Sequence, residues 1–338
     1  MRPRDIKSFL RAALEDPVHA PPIHIWGQPG VGKSDVVKEV TQEEQVGLVD
    51  IRLAQRDATD LRGIPAIVDG KAVWLAPAEL PSDPDWRGII LYDELPSAPP
   101  LVQAAAYQAI LDRKIGLYEF PKGAYQLGAG NREGDRAVVY HMSTALANRF
   151  IHIDFDVNTD DWMDWAMSHN INPHIIAYIK WKPDALCPKF DPDSSEKAFT
   201  TPRTWAKSSW VLENIEPRMQ ATMLEGAIGR GQTATFMSFL KLQTELPNLD
   251  DIMSGKSDYV PTKNDLRFAI VGGLVARVKD DAHYERLLKY SEKLPVEFSV
   301  MMIQMLAAKN DVALGSSPSW DTWARKHQDV LLPRKIDD

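Results

Sequence analysis

Apolar residues at helical spacing open the chain, and short apolar runs then alternate with further helical stretches. Across residues 5–15, Ile6, Phe9, Leu10, Ala13 and Leu14 fall on one face, as in an amphipathic helix. The run Ile23-His24-Ile25-Trp26 follows, and runs of similar character recur at 48–53, 88–92, 126–129 and 150–155. Runs this short and this apolar read as strands buried on both faces. Helical spacing separates them, with Val36, Val37 and Val40 after the first run and residues 101–111 after the third. Alternation of this kind predicts an α/β core built on a parallel sheet with helices on both faces. Two segments interrupt it. Residues 67–74 carry Asp69-Gly70 between β-prone residues, the strongest short-range hairpin signal. A second hairpin is expected between Ile115 and Leu127, turning around Pro121-Lys122-Gly123.

Beyond Asp156 the period changes. Trp162, Trp165 and Met167, then Ile175, Ile176, Tyr178, Ile179 and Trp181, recur at helical spacing. Further helices are expected at 202–214, 217–229 and 232–245, with a loop at Ser194-Ser195-Glu196-Lys197. A turn-rich break from Pro247 to Pro261 precedes three more helical stretches, 266–278, 283–294 and 296–308. The expected division is an α/β core at 1–157, an all-α module at 158–252 and a helical C-terminal region at 262–338.

Composition narrows the class. With 44% hydrophobic and 25% charged residues in 338, the chain has ordinary globular composition and length enough to bury a core. A single cysteine, Cys187, excludes an intrachain disulfide framework and fits a reducing compartment. No apolar run reaches membrane-spanning length and the first residues lack a signal-peptide pattern, so a cytoplasmic protein without membrane insertion is expected. A net charge of -8 argues against a nucleic-acid platform. His169 and His174 lack a zinc-binding frame, and Cys187 lacks a catalytic one. The tryptophans at 162, 165, 181, 205 and 210 read as packing.

The most informative stretch is Gly27-Gln28-Pro29-Gly30-Val31-Gly32-Lys33-Ser34. It fits G-x-x-x-x-G-K-[ST] without mismatch, between a predicted strand and a predicted helix. Glycines let the backbone N–H groups curl inward, and the helix N-terminus adds partial positive charge where phosphates would lie. Lys33 is placed for the β- and γ-phosphates and the Ser34 hydroxyl for Mg²⁺. The third apolar run ends in Asp93-Glu94. Asp93 suits a Mg²⁺ ligand and Glu94 suits the group that polarises an attacking water; such a pair can equally cap a helix. Asn131 ends the fourth run, beside the phosphate strand, as either a γ-phosphate contact or a turn residue. Arg149 precedes the fifth run, where it can reach a neighbouring subunit's site or form a surface ion pair. Arg203, in Thr201-Pro202-Arg203, opens a helix of the all-α module.

Together these residues resemble the AAA+ ATPases, and among them the MoxR-like group allied to magnesium chelatase subunits. The resemblance covers roughly residues 5–250. It makes Gly27 to Ser34 the Walker A loop, Ile89 to Glu94 the Walker B strand, Asn131 the first sensor, Arg149 the arginine finger and Arg203 the second sensor. Arg132 stands where many relatives have proline, and this keeps Arg136 as a second candidate for the trans arginine. The resemblance implies a sheet of order 5-1-4-3-2 with a helical lid, a hexameric ring with ATP and Mg²⁺ between subunits, and remodelling of a protein client, often one with a von Willebrand A domain. Two alternatives stay open. One is a motor on nucleic acid that uses Lys71, Arg113, Lys114 and Lys122 on the hairpins. The other is an ATP-gated scaffold with little turnover.

Overall fold

The computed structural model describes residues 1–132, 134, 140–189, 197–242 and 246–328. They form two compact units, one of residues 1–158 and the other chiefly of residues 159–188 and 195 onward.

The first unit is built on nine strands. Five of them, β1 (Ile23–Trp26), β2 (Gly47–Arg52), β5 (Arg87–Asp93), β8 (Gly123–Gly130) and β9 (Ile151–Asp154), make one parallel sheet of order β2-β5-β8-β1-β9. Counted along the sheet strands alone, that is the expected 5-1-4-3-2. The strands β5 and β8 lie inside the sheet, and Ile89, Ile90, Leu91 and Tyr92 are wholly buried, which is why these runs do not alternate. Helix α1 (Pro3–Glu15) buries Ile6, Leu10, Ala13 and Leu14. Helix α2 (Lys33–Glu43) buries Val36, Val37 and Val40. The opposite face carries α3 (Ala58–Arg62) and α4 (Pro100–Asp112), whose Val102, Ala105, Ala106 and Ala109 join Ile51, Ile90 and Tyr92 in one core.

The two hairpins differ in fidelity to expectation. Strands β3 (Ile64–Val68) and β4 (Lys71–Leu75) pair antiparallel around Asp69 and Gly70. Both turn residues have positive φ, 49° and 73°, as a two-residue hairpin turn with the strands' own twist demands. The second hairpin is shorter and lies earlier than expected. It pairs β6 (Lys114–Ile115) with β7 (Tyr118–Glu119) and turns at Gly116-Leu117. Gly123, expected in its turn, instead begins β8 opposite Arg87, because pairing with the long β5 recruits residues whose own pattern suggests a turn.

The second unit is helical. Its helices are α6 (Thr159–Ser168), α7 (Pro173–Trp181), α8 (Pro202–Asn214), α9 (Pro217–Ile228), α10 (Arg230–Lys241), α11 (Leu249–Met253), α12 (Asn264–Ala276), α13 (Asp281–Ser291), α14 (Val296–Lys309), α15 (Asp311–Gly315) and α16 (Trp320–Lys326); the four-residue α5 (Thr144–Ala147) belongs to the first unit. Helix α8 starts with a reciprocal Thr201–Thr204 capping box and Pro202 in the first turn. Tyr178, Trp205, Phe236 and Phe239 form an aromatic cluster, with the Trp205 indole donating to the Ala185 carbonyl at 2.9 Å. Of the tryptophans expected as packing, Trp162 and Trp205 are buried, but Trp210 is 58% exposed. Helix α12 lies close against α7 at Gly272, where a Cβ would stand 3.0 Å from the Pro173 carbonyl. The break at 247–261 contains α11, and α15 and α16 lie beyond the last expected helix. The expected loop at Ser194-Ser195-Glu196 and the end of the chain from 329 lie outside the described residues. Among the described residues no helix is long and apolar enough to cross a membrane.

One core residue imposes a pH dependence. His24 is wholly buried in β1, with both ring nitrogens unpartnered among the described residues. Burial first, then the nearby His152 and Lys33, pushes its pKa down to about 3. The folded chain therefore refuses a proton that the unfolded chain accepts below about pH 6.5. The stability this contributes is complete above that value and is lost as pH falls towards 3. Between pH 7 and pH 5 the loss from His24 is about 2 kcal/mol. Denaturant midpoints of the wild type and of His24→Met across this range should show a shallower slope for the variant, the remainder arising from groups such as His174, pushed down to about 4 by burial and by Arg277.

Candidate functional site

Parallel register brings the chemistry to one edge of the sheet. Trp26, the last residue of β1, stands opposite Gly130, the last of β8. Tyr92 of β5 stands opposite Gly128. The residues that end or follow these strands, Gly27, Asp93-Glu94 and Asn131, thus emerge side by side at the carboxyl ends, where open α/β sheets hold their ligands. The Gly27 amide donates to the Gly130 carbonyl at 3.2 Å and extends the β1–β8 ladder by one bond.

The loop from Gly27 to Ser34 wraps around the lysine. Gly30 and Gly32 adopt positive φ, 80° and 107°, a region open to glycine. The Lys33 ammonium is buried. It donates to the Gly27 carbonyl at 2.6 Å, to the Gln28 carbonyl at 3.1 Å and to Asn131 Oδ1 at 3.0 Å. The Ser34 hydroxyl, in the first turn of α2, donates to Asp93 Oδ2 at 2.7 Å. Asp93 Oδ1 accepts from the Glu94 amide at 2.9 Å. Glu94 adopts a left-handed conformation, φ 56° and ψ 28°, so the chain turns sharply away from the strand direction. The 3₁₀ turn Leu95–Ser97 then places Pro96 against Gly130, where a Cβ would come within 2.2 Å of Pro96 Cδ. Glycine at 130 is therefore what allows the Glu94 turn and the Asn131 strand tip to share one edge.

Lys33, Ser34, Asp93, Glu94 and Asn131 are thus brought together at one edge of the sheet. The donor set fits a triphosphate with its metal. Ser34 and Asp93 present a hydroxyl and a carboxylate, hard oxygen ligands suited to Mg²⁺. Phe155 underlies the loop, 3.1 Å from where a Gly27 Cβ would lie.

The arginines are placed differently. Arg149 follows α5 and packs on α4, its Nη2 donating to the Tyr107 hydroxyl at 3.1 Å and its guanidinium 5.5 Å from the Tyr107 ring centre. Arg132 Nη2 is 2.7 Å from Asp154 Oδ1 and ties the tip of β8 to the end of β9. Arg203 lies in the second unit, exposed in the first turn of α8. Arg136 lies outside the described residues. Of the four basic hairpin residues, Arg113 donates internally to the Pro17, Pro121 and Ala124 carbonyls, and Lys114 pairs with Glu119 at 2.7 Å.

One neighbour of the site escaped sequence reasoning. Asp50 of β2 lies on the same sheet face as Asp93 and is half-buried. Burial and then the Asp93 carboxylate push its pKa up, against the opposing pull of Arg52 and Lys38. A lone acid inside the apolar run Leu48-Val49-Asp50-Ile51 was the available signal.

No family model and no curated protein matches the chain. Among solved structures, the RuvB Holliday junction branch migration motor of Thermotoga maritima is similar at 18% identity over 80% of each chain, with a TM-score of 0.40. NtrX of Brucella abortus in complex with ADP is similar at 13% identity over 97% of this chain and 68% of that one, with a TM-score of 0.35.

The contacts of Ser34 and Asn131 separate two roles. Ser34→Ala should raise the Mg²⁺ concentration needed for half-maximal nucleotide binding several-fold while leaving metal-free nucleotide binding little changed. Asn131→Ala removes one acceptor from the Lys33 ammonium, a contact to a charged group of about 1.5–3 kcal/mol, and should lower the thermal midpoint of the nucleotide-free protein. Fluorescent-nucleotide titration and thermal melting measure the two effects.

Proposed function

We propose that the protein is an AAA+ ATPase of MoxR-like type that hydrolyses Mg²⁺–ATP to remodel or assemble a protein partner. One observation carries the proposal: Lys33, Ser34, Asp93, Glu94 and Asn131 converge at the carboxyl edge of a 5-1-4-3-2 sheet, with Ser34 on Asp93 and Lys33 on Asn131.

In this reading Lys33 exchanges its loop carbonyls for β- and γ-phosphate oxygens, and the amides of Gly30 to Lys33 cradle the phosphates. Ser34 and Asp93 would hold Mg²⁺, which would supply charge neutralisation at the phosphates. Glu94 accepts a hydrogen bond from the attacking water and aligns it. Asn131 fixes the water or the γ-phosphate from the neighbouring strand. Such a transition state needs positioning and charge more than covalent help. Arg149 enters a neighbouring subunit's site in a hexameric ring, and Arg203 acts from the lid, taken as 158–252, with 262–338 as a C-terminal extension. The cytoplasm is the compartment this reading implies, and a von Willebrand A domain protein the kind of client.

A protein client is favoured over a polynucleotide by the chemistry of the hairpins. Ile64, Ile67 and Leu117 are 71%, 84% and 69% exposed. Apolar residues displayed in this way suit contact with protein, whereas Arg113 and Lys114 are already engaged. Glu94→Gln tests the enzyme. It should lower ATP turnover by at least about 100-fold while ATP-dependent assembly, followed by mass measurement, persists. Wild-type turnover no higher than that of the variant would instead support a nucleotide-gated scaffold.

A further inference from the structure

A side-chain relay runs from the phosphate loop to the turn that carries Arg149. Trp26 is the residue immediately before Gly27. Its indole Nε1 donates to His152 Nδ1 at 2.8 Å, with the two ring planes inclined by 25°. An indole N–H can only donate, so His152 Nδ1 carries no hydrogen and Nε2 does. That Nε2 lies 2.9 Å from the Ala147 carbonyl and donates to it. Ala147 is the last residue of α5, and its carbonyl also accepts from the Phe150 amide at 3.1 Å. The Arg149 amide in turn donates to the Leu146 carbonyl at 3.1 Å. Both bonds of His152 thus fix the backbone on either side of Asn148 and Arg149 relative to the end of β1. The tautomer is set as well, since a proton on both nitrogens would break the bond from Trp26.

We infer that His152 is a positioning residue: through its bond to the Ala147 carbonyl it aims Arg149 towards the neighbouring subunit. The inference rests on the proposed trans role of Arg149. Two conservative variants split the relay. Gln at 152 can keep the donation to Ala147 while losing the acceptor for Trp26. Asn can keep the acceptor and lose the donation. Phe keeps an aromatic ring and loses both.

Mixed assemblies test it. Arg149→Ala subunits retain their own Glu94 but deliver no arginine. Glu94→Gln subunits deliver Arg149 but do not hydrolyse. Mixing the two should restore ATP turnover. If His152 aims Arg149, the double variant Glu94→Gln/His152→Phe restores at least about tenfold less, and Glu94→Gln/His152→Gln restores most of it. Nucleotide affinity and thermal midpoint of the His152 variants should match their parents, which a general loss of structure would not allow. Equal restoration with and without His152→Phe overturns the role of His152 while leaving Arg149 as the trans arginine. No restoration by Glu94→Gln itself removes Arg149 from that role, and the inference falls with it.

Discussion

The buried ammonium of Lys33 is the group around which the first unit is arranged. A cation withdrawn from water must find acceptors, and here they come from two directions: the carbonyls of its own loop and the side chain of Asn131 on another strand. Those acceptors are in reach only because β1 and β8 end level with each other. The level ending depends in turn on small residues at the strand tip. His24 lies beneath Gly128, Pro96 packs over Gly130, and a side chain at either glycine would push these elements apart. The same ammonium is the charge a polyphosphate would compete for, so the arrangement that satisfies the folded chain also prepares it for its ligand.

The acidic side of the site obeys a related constraint. Asp93 spends one oxygen on the Ser34 hydroxyl and the other on the Glu94 amide. It thereby joins α2 to β5 and holds the turn in which Glu94 takes a left-handed conformation. Asp50, behind it on β2, adds negative charge that Arg52 and Lys38 offset. The Ser34–Asp93 pair is therefore set within a balanced group of charges, and the burial that raises the Asp50 pKa is the same burial that sharpens electrostatic contacts at the site.

Much of this was legible in the residues. The five sheet strands and the loop-strand pairing at 27–34 and 89–94 follow from apolar runs, helical spacing and one specific motif, whereas the strand order was what the family resemblance implied. The Asp69-Gly70 hairpin was equally plain, since few dipeptides tolerate two positive φ values in succession. Helix α8 could be bounded closely because Thr201 and Pro202 mark its start. The second hairpin was placed too late because Pro121-Lys122-Gly123 carries turn chemistry, yet pairing with β5 draws Gly123 into the sheet. Trp210 was read as packing together with the other tryptophans of the region, whereas it sits on an exposed face of α8.

The sequence by itself determined which elements form and which side chains can carry phosphate and metal chemistry, because periodicity and the glycine-lysine-serine pattern are local properties of the chain. Only the tertiary structure decided which of those side chains meet. Asn131 reaches Lys33, Asp50 lies behind Asp93, and Trp26, His152 and Ala147 join into one relay because strands far apart in the chain settle in parallel register. Contacts of that kind depend on how strands align, and no local pattern encodes the alignment.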